Sequence, residues 1–332
     1  MYPEVKRFLA LICGFALASL SWLAGLAFVR DKPVPNAIFA QSIIDRKIDA
    51  YVKAGEGQKI FLVGGSSVAF GIDSDKIETS FEDEVVNFGC MAGIGPEIIL
   101  NALKPLLSKG DKVLFCWEYG LYRFKRGHHD ITYLNLLFGP QHELFSSYPL
   151  SDRLYLQLSI PFSHFRESMA TYLNPYVQPS IYRCGWNFDS SGNVRSNVGF
   201  VTTEKELLKQ PLGSLCTELT ISNEVEEIIS DFLEFCRQND IEVLATWPNV
   251  FGHPDYFDNP TVTRNIELIA DFWLDLGVPV MGDAEDSMLG ADLFHDTMYH
   301  LNDRGVEIRT ERLVKELRPK FPDKNASSLN QS

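Results

Sequence analysis

The sequence predicts an α/β domain on a parallel sheet, preceded by a membrane helix and interrupted by a large insertion. Three observations carry this. Strand-like and helix-like segments alternate before residue 119 and again after residue 219, the pattern of βαβ units. An uncharged run, FLALICGFALASLSWLAGLAFV, fills Phe8 to Val29. Between roughly Tyr119 and Leu219 the alternation stops, and Tyr, Phe, Pro and Asn accumulate.

The run from Phe8 to Val29 has 22 residues. At about 1.5 Å per residue it spans about 33 Å, enough for a bilayer core of about 30 Å. It is longer than a signal-peptide core of about 7–15 residues, and no A-x-A-like site follows it. An uncleaved anchor is therefore expected; a cleaved signal or a buried helix are the alternatives. Lys6 and Arg7 on one side nearly balance Arg30 and Lys32 on the other. The short amino-terminal tail places the remaining chain outside the cytoplasm, on the periplasmic side of the inner (plasma) membrane.

DKPVP at Asp31–Pro35 makes a stiff exit. Phe39, Ile43, Ile44, Ile48 and Tyr51 then recur at helical spacing over Ala37–Ala54, a membrane-proximal stalk. Strands are expected at Lys59–Val63, Glu84–Phe88, Lys112–Trp117, Ile241–Thr246 and Val278–Met281. Helices are expected at Asp73–Phe81, Pro96–Ser108, Asn223–Asn239, Val262–Leu276 and Asp303–Leu317. The resulting division is 1–32 for tail and anchor, 33–57 for the stalk and 58–320 for the domain. An insertion occupies about 119–219, and a frayed tail 321–332. Ligands of open α/β sheets bind at the carboxyl ends of the strands, and the insertion is expected to cap that edge, a second structural subdomain being the alternative.

Composition narrows the function. The 332 residues are 45% hydrophobic and carry a formal charge of −14, which fits a globular protein and excludes a general nucleic-acid binder. Cys13, Cys90, Cys116, Cys184, Cys216 and Cys236 form no CxxC pair, which argues against a zinc ribbon or redox motif. Cys90, Cys116 and Cys236 read as core residues, and a Cys184–Cys216 disulfide is permitted. His128, His129 and Asp130 are the only hint of a metal site. Adjacent histidines point apart, so a solvated loop is preferred and no metal or cofactor is expected.

Three blocks carry chemistry. In Leu62-Val-Gly-Gly-Ser-Ser-Val-Ala-Phe-Gly71 a strand ends in small residues, then Ser67, then a helix. A hydroxyl there sits near free helix N–H groups that favour negative charge. No Lys follows the glycines as a P-loop requires, and Val68 breaks G-x-S-x-G. Ser66 or Ser67 capping the helix is the plain alternative. In Val86-Asn-Phe-Gly-Cys-Met-Ala-Gly93 a second strand ends in a Gly-rich turn, and the Gly93 N–H is a candidate oxyanion donor. In Asp292-Leu-Phe-His-Asp-Thr-Met-Tyr-His-Leu-Asn-Asp-Arg-Gly305 both Asp292/His295 and Asp296/His300 have workable spacing.

Taken together the blocks resemble the SGNH (GDSL-like) hydrolase superfamily. Gly65-Ser-Ser67 with Gly71 is similar to its G-D-S-x-x-x-G, with Ser66 in place of Asp. Asn87 to Gly93 is similar to the turn after its second strand. His300-Leu-Asn-Asp-Arg-Gly305 is similar to its last block and selects His300 over His295. The resemblance covers about Lys59 to Leu317 and implies a three-layer α/β/α, flavodoxin-like fold. It implies Ser67 as nucleophile, His300 as base and Asp296 as its orienting partner, with the Ser67 and Gly93 N–H groups as the oxyanion hole. The family's G-x-N-D block is replaced by Cys116-Trp-Glu-Tyr-Gly-Leu121, which removes the side-chain oxyanion donor. Glu118 and Tyr119 there, with Asn249, are the substrate-binding candidates. The expectation is an esterase or O-acyltransferase acting on O-acyl groups, acetyl first, of an exopolysaccharide or other envelope glycan. A multi-span membrane acyltransferase is its expected partner. Trp186, Tyr172, Tyr176, Tyr182 and Phe188 are candidates to stack on sugars or to form the insertion's core. A non-catalytic scaffold is the rival class.

Overall fold

A computed structural model describes residues 2–29, 32, 34–128, 130–174, 186–195, 199 and 201–321. Tyr176, Tyr182, His129, Cys184, Arg30 and Asp31 lie outside these residues, as does the tail after Phe321. The elements are α1 (Pro3–Val29), α2 (Pro35–Lys53), β1 (Lys59–Gly64), α3 (Ser66–Ala69), α4 (Ser74–Phe81), β2 (Glu84–Gly89), α5 (Pro96–Leu103) and β3 (Lys112–Cys116). After these come α6 (Ile131–Leu137), α7 (His142–Ser147), α8 (Leu150–Ser159), α9 (Phe162–Leu173) and α10 (Glu204–Leu207). The chain closes with α11 (Asn223–Gln238), β4 (Glu242–Thr246), β5 (Val250–Phe251), α12 (Pro260–Asp275), β6 (Val280–Met281), β7 (Met288–Leu289) and α13 (Asp303–Leu317).

The chain forms two compact units. One comprises Met1–Gln41 with Arg126–Cys184; the other comprises Ser42–Lys125 with Gly185–Ser332.

The larger unit is built on a five-stranded sheet in the order β2-β1-β3-β4-β6, every pair parallel. The strands are apolar on both faces because helices cover both. Ile60, Leu62, Leu114 and Leu244 pack with Ile77 and Phe81 of α4 and with Leu313 and Leu317 of α13. On the opposite face Phe115 meets Phe232 of α11 at 5.6 Å and Trp273 of α12 at 5.1 Å between ring centroids. Cys90, Cys116 and Cys236 are buried, as their apolar surroundings predicted. Cys216 is a free thiol whose Sγ donates to the Asp255 carbonyl at 3.8 Å.

Periodicity located each of the five strands and the helices between them to within a few residues. It missed three features. The parallel pair β5–β7, which joins Val250 to Met288 and Phe251 to Leu289, is too short to register as a pattern. Lys47 lies on the buried face of α2, where its Nζ donates to the Gly192 carbonyl at 2.5 Å and sits 4.9 Å from the centre of the Phe188 ring. Burial lowers its pKa to about 8, against the opposing pull of Cys90 and Asp189. The third feature is the first part of the aperiodic stretch, which is helical in α6 to α9. These helices have 7, 6, 10 and 12 residues, and Pro149 and Pro161 cap the last two. Segments that short lack the turns over which a 3.6-residue pattern becomes visible.

Phe115 is fully buried among three other aromatic rings, Trp117, Phe232 and Trp273. Phe115→Ala is expected to cost about 3–5 kcal/mol, read as a lowered denaturation midpoint of the full chain.

Candidate active site

The sheet brings the ends of β1 and β3 together. Gly64 pairs with Cys116, so the turn after β1 faces the turn after β3. This is where the strand order reverses, the place where open α/β sheets form their crevice. Glu118 reaches across it. Its Oε2 accepts from the Gly65 N–H and its Oε1 from the Ser67 N–H, both at 2.8 Å. Gly65 is required, because a Cβ there would stand 2.3 Å from both carboxylate oxygens. Gly65 is also the residue preceding α3, and no side chain caps that helix, so neither serine serves as its cap.

Glu118 is 3% exposed. Burial raises its pKa, and the N–H groups of Ser67, Glu118 itself and Gly65 pull the other way. The Ser67 hydroxyl lies near enough to favour the carboxylate. Yet Ser67 Oγ makes no hydrogen bond of normal geometry, and Ser67 is fully buried while Ser66 is half-buried. Gly93 lies in the 3₁₀ turn Ala92–Ile94 after β2, and neither hydrogen bond to Glu118 comes from it. The two amide groups that hold the Glu118 carboxylate belong to Gly65 and Ser67.

The structure does pair Asp296 with His300: Nδ1 lies 2.8 Å from Asp296 Oδ1. The loop carrying them is closed by the His295 N–H donating to the His300 carbonyl at 2.8 Å and by the Phe294–Leu301 bridge. Asn302 then caps α13 by accepting from the Gly305 N–H at 3.0 Å, which is the physical content of the H-x-N-x-x-G spacing. Burial opposes ionisation of Asp296, but the hydrogen bond and charge of His300 outweigh it and hold the carboxyl below its ordinary value. Burial lowers the pKa of His295, with Asp296 opposing and His300 assisting.

The imidazole of His300 is oriented by Phe70, which follows α3. Their rings stack at 4.1 Å with 11° between planes. Trp186 meets Phe70 edge-on at 4.8 Å and His300 at 6.4 Å. No hydrogen bond joins His300 to Ser67. The link between their two segments is Asn249. Its Nδ2 donates to the Tyr299 carbonyl at 2.7 Å, and its Oδ1 is buried without a partner. A Cβ on Gly71 would stand 2.1 Å from both Asn249 Oδ1 and the Ser67 carbonyl, so this amide reaches the serine turn. Tyr119 is buried with its hydroxyl unpartnered. Burial, with Tyr256, Glu118 and Tyr119 nearby, pushes the Tyr299 hydroxyl well above its ordinary pKa.

A groove of about 480 Å³ adjoins Phe70. Phe70, Asp73, Asp75, Lys76, Arg195 and Glu307 line it, whereas Ser67, Glu118 and His300 do not. His128 Nε2 lies 2.5 Å from the Tyr155 hydroxyl, and among the described residues no group of three or more His, Cys, Asp or Glu could hold a metal ion.

No protein-family model and no curated protein matches the chain.

Sequence reasoning named Ser67, Glu118, Tyr119, Asn249, Asp296 and His300, and it overlooked Gly65 as an amide donor and Phe70 as the platform for the imidazole. The doubled glycine before the serine was the available signal for the first. Nothing local signalled the second.

Two opposite pH dependences are expected. Glu118→Gln leaves one buried N–H without an acceptor and should cost about 1–3 kcal/mol. Because the folded pKa of Glu118 is raised, the advantage of wild type over Glu118→Gln is greatest below about pH 4.3 and shrinks as pH rises through the folded value. For Asp296→Asn the sign reverses. The wild-type advantage is present above about pH 3.9 and is lost as pH falls through the depressed folded value. Urea titrations across pH 3–8 with each variant check both.

Proposed function

We propose that the chain is a membrane-anchored, SGNH-like serine acyl-transfer enzyme with a three-layer α/β/α domain on the outer face of the inner membrane. Its substrates on this reading are O-acyl groups, acetyl first, of an exopolysaccharide or other envelope glycan. The observation that carries it is the pair of N–H groups on Glu118. Two buried backbone donors, each holding one oxygen of the same carboxylate beside a serine at a helix start, are groups that an oxyanion can take up once the carboxylate leaves. The Glu118 carboxylate stands in for that oxyanion and keeps the resting site closed.

In this reading the ester carbonyl displaces Glu118 and takes up the Gly65 and Ser67 N–H groups. Ser67 Oγ attacks the carbonyl carbon, and His300 Nε2 takes its proton. Asp296 holds Nδ1–H and stabilises the imidazolium. The leaving alkoxide recovers the proton from His300, leaving an acyl-serine. Water resolves it in an esterase, a sugar hydroxyl in a transferase, and a multi-span acyltransferase is a fitting donor of the acyl group. The helix α1, 27 residues long and 6% buried over its most apolar window, supports the anchor.

A second reading is a non-catalytic scaffold of the same fold that binds glycan or an assembly partner. It is favoured by the same Glu118, whose ionised form repels an oxyanion, and by the complete burial of Ser67.

Hydrolysis of a small acetyl ester and release of acetate from an acetylated polysaccharide separate the two. Ser67→Ala and His300→Ala are each expected to lower turnover by at least about 10³-fold, with the folded content unchanged. A wild type no faster than Ser67→Ala on both substrates leaves the scaffold.

A further inference from the structure

Two helices of the smaller unit, α8 and α9, turn large apolar side chains outward. On α8, Leu150, Leu154 and Leu158 recur every fourth residue and are 64%, 42% and 66% exposed, with Tyr155 beside them at 45%. Leu156 alone of that helix is fully buried. On α9, Phe162 is 67% exposed and Leu173 is 75% exposed. A helix bathed in water turns such a stripe inward. Exposed leucines that fall singly need no explanation, but a continuous stripe does.

The stripe adjoins α1. Trp22 of α1 lies 6.3 Å from Phe162 and 6.5 Å from Phe165 between ring centroids, and its Nε1 donates to the Gln157 carbonyl at 3.1 Å. Farther along, Phe28 meets Tyr172 edge-on at 6.1 Å. Lys32 caps this end. Its Nζ donates to the Phe28 carbonyl at 2.6 Å and stands over the rings of Phe28 and Tyr172 at 4.2 and 4.9 Å. A lysine among aromatic rings at the end of an apolar helix marks the water boundary of a bilayer. Trp22 precedes the helix end by seven residues, or about 10 Å, so α8 and α9 meet α1 within the outer part of its apolar span.

We infer that α8 and α9 form an interfacial membrane contact, with Leu150, Leu154, Leu158 and Phe162 sunk into the boundary between headgroups and acyl chains. The occupant of the exposed stripe is the lipid surface, because that stripe is continuous with a helix whose own exposed face is suited to lipid. Interfacial helices bury their apolar side about 5–10 Å deep, which matches the stretch of α1 beside them. The inference rests on α1 spanning the bilayer. It extends that reading from one span to a span with a lateral foot made by residues that otherwise read as a soluble insertion.

The test uses the full chain in vesicles of phosphatidylcholine and phosphatidylglycerol, with Cys13, Cys184 and Cys216 replaced by serine. Nitroxide labels go on Leu154→Cys, Leu158→Cys and Phe162→Cys, with Phe15→Cys in α1 and Glu267→Cys on α12 as references. Collision rates with oxygen and with a water-soluble nickel chelate report depth. The three foot positions are expected to favour oxygen several-fold more than position 267, at a shallower depth than position 15. Foot positions that match position 267 while position 15 stays in lipid overturn the foot and leave the span. Aqueous behaviour at position 15 as well overturns the span and the foot with it.

Discussion

The site depends on one carboxylate held by two amide N–H groups. Glu118 bridges Gly65 and Ser67, and so ties the turn after β1 to the turn after β3. Both donors would be costly to leave bare in a buried crevice. The carboxylate satisfies them and carries a desolvation penalty that raises its own pKa. Only glycine permits the approach at position 65. The interaction therefore fixes the backbone of the serine turn.

A second set of contacts holds the imidazole without reference to Glu118. Asp296 orients the His300 ring through Nδ1, Phe70 stacks on its face, and Trp186 closes its edge. Asn249 spans from the Tyr299 carbonyl to the serine turn and keeps an unpartnered buried oxygen between them. The two halves thus meet through side chains from four separate loops, each at the carboxyl edge of a strand or before the closing helix. Such an arrangement is preorganised on both sides and joined in the middle by packing.

Much of the α/β unit was legible because its signals are local. Runs such as Lys59–Gly64 and Lys112–Cys116 are buried on both faces and read as continuous apolar strands. Asp303–Leu317 begins at an asparagine whose side chain caps it, and its limits followed from that residue. The short helices α6 to α9 were illegible for other reasons: α6 is buried almost throughout and α8 turns Leu150, Leu154 and Leu158 outward, so neither repeats an inward stripe over enough turns to be recognised. In the site, Asp296 and His300 were legible because a four-residue spacing in a tight loop brings them together. The Gly65 amide and the Phe70 ring were not, because what each one does depends on a partner far away in sequence.

By itself the sequence determined the alternation of strands and helices, the apolar α1, the serine at a strand end and the Asp–His pair before the last helix. These follow from periodicity, hydropathy and short spacing, all of which act between neighbours. Tertiary structure alone decided the strand order, the docking of Glu118 on the serine turn, the burial of Lys47 and the outward apolar face of α8. Each of these depends on which distant surface a residue meets, and that is set when burial and hydrogen-bond satisfaction are balanced across the whole fold rather than along the chain.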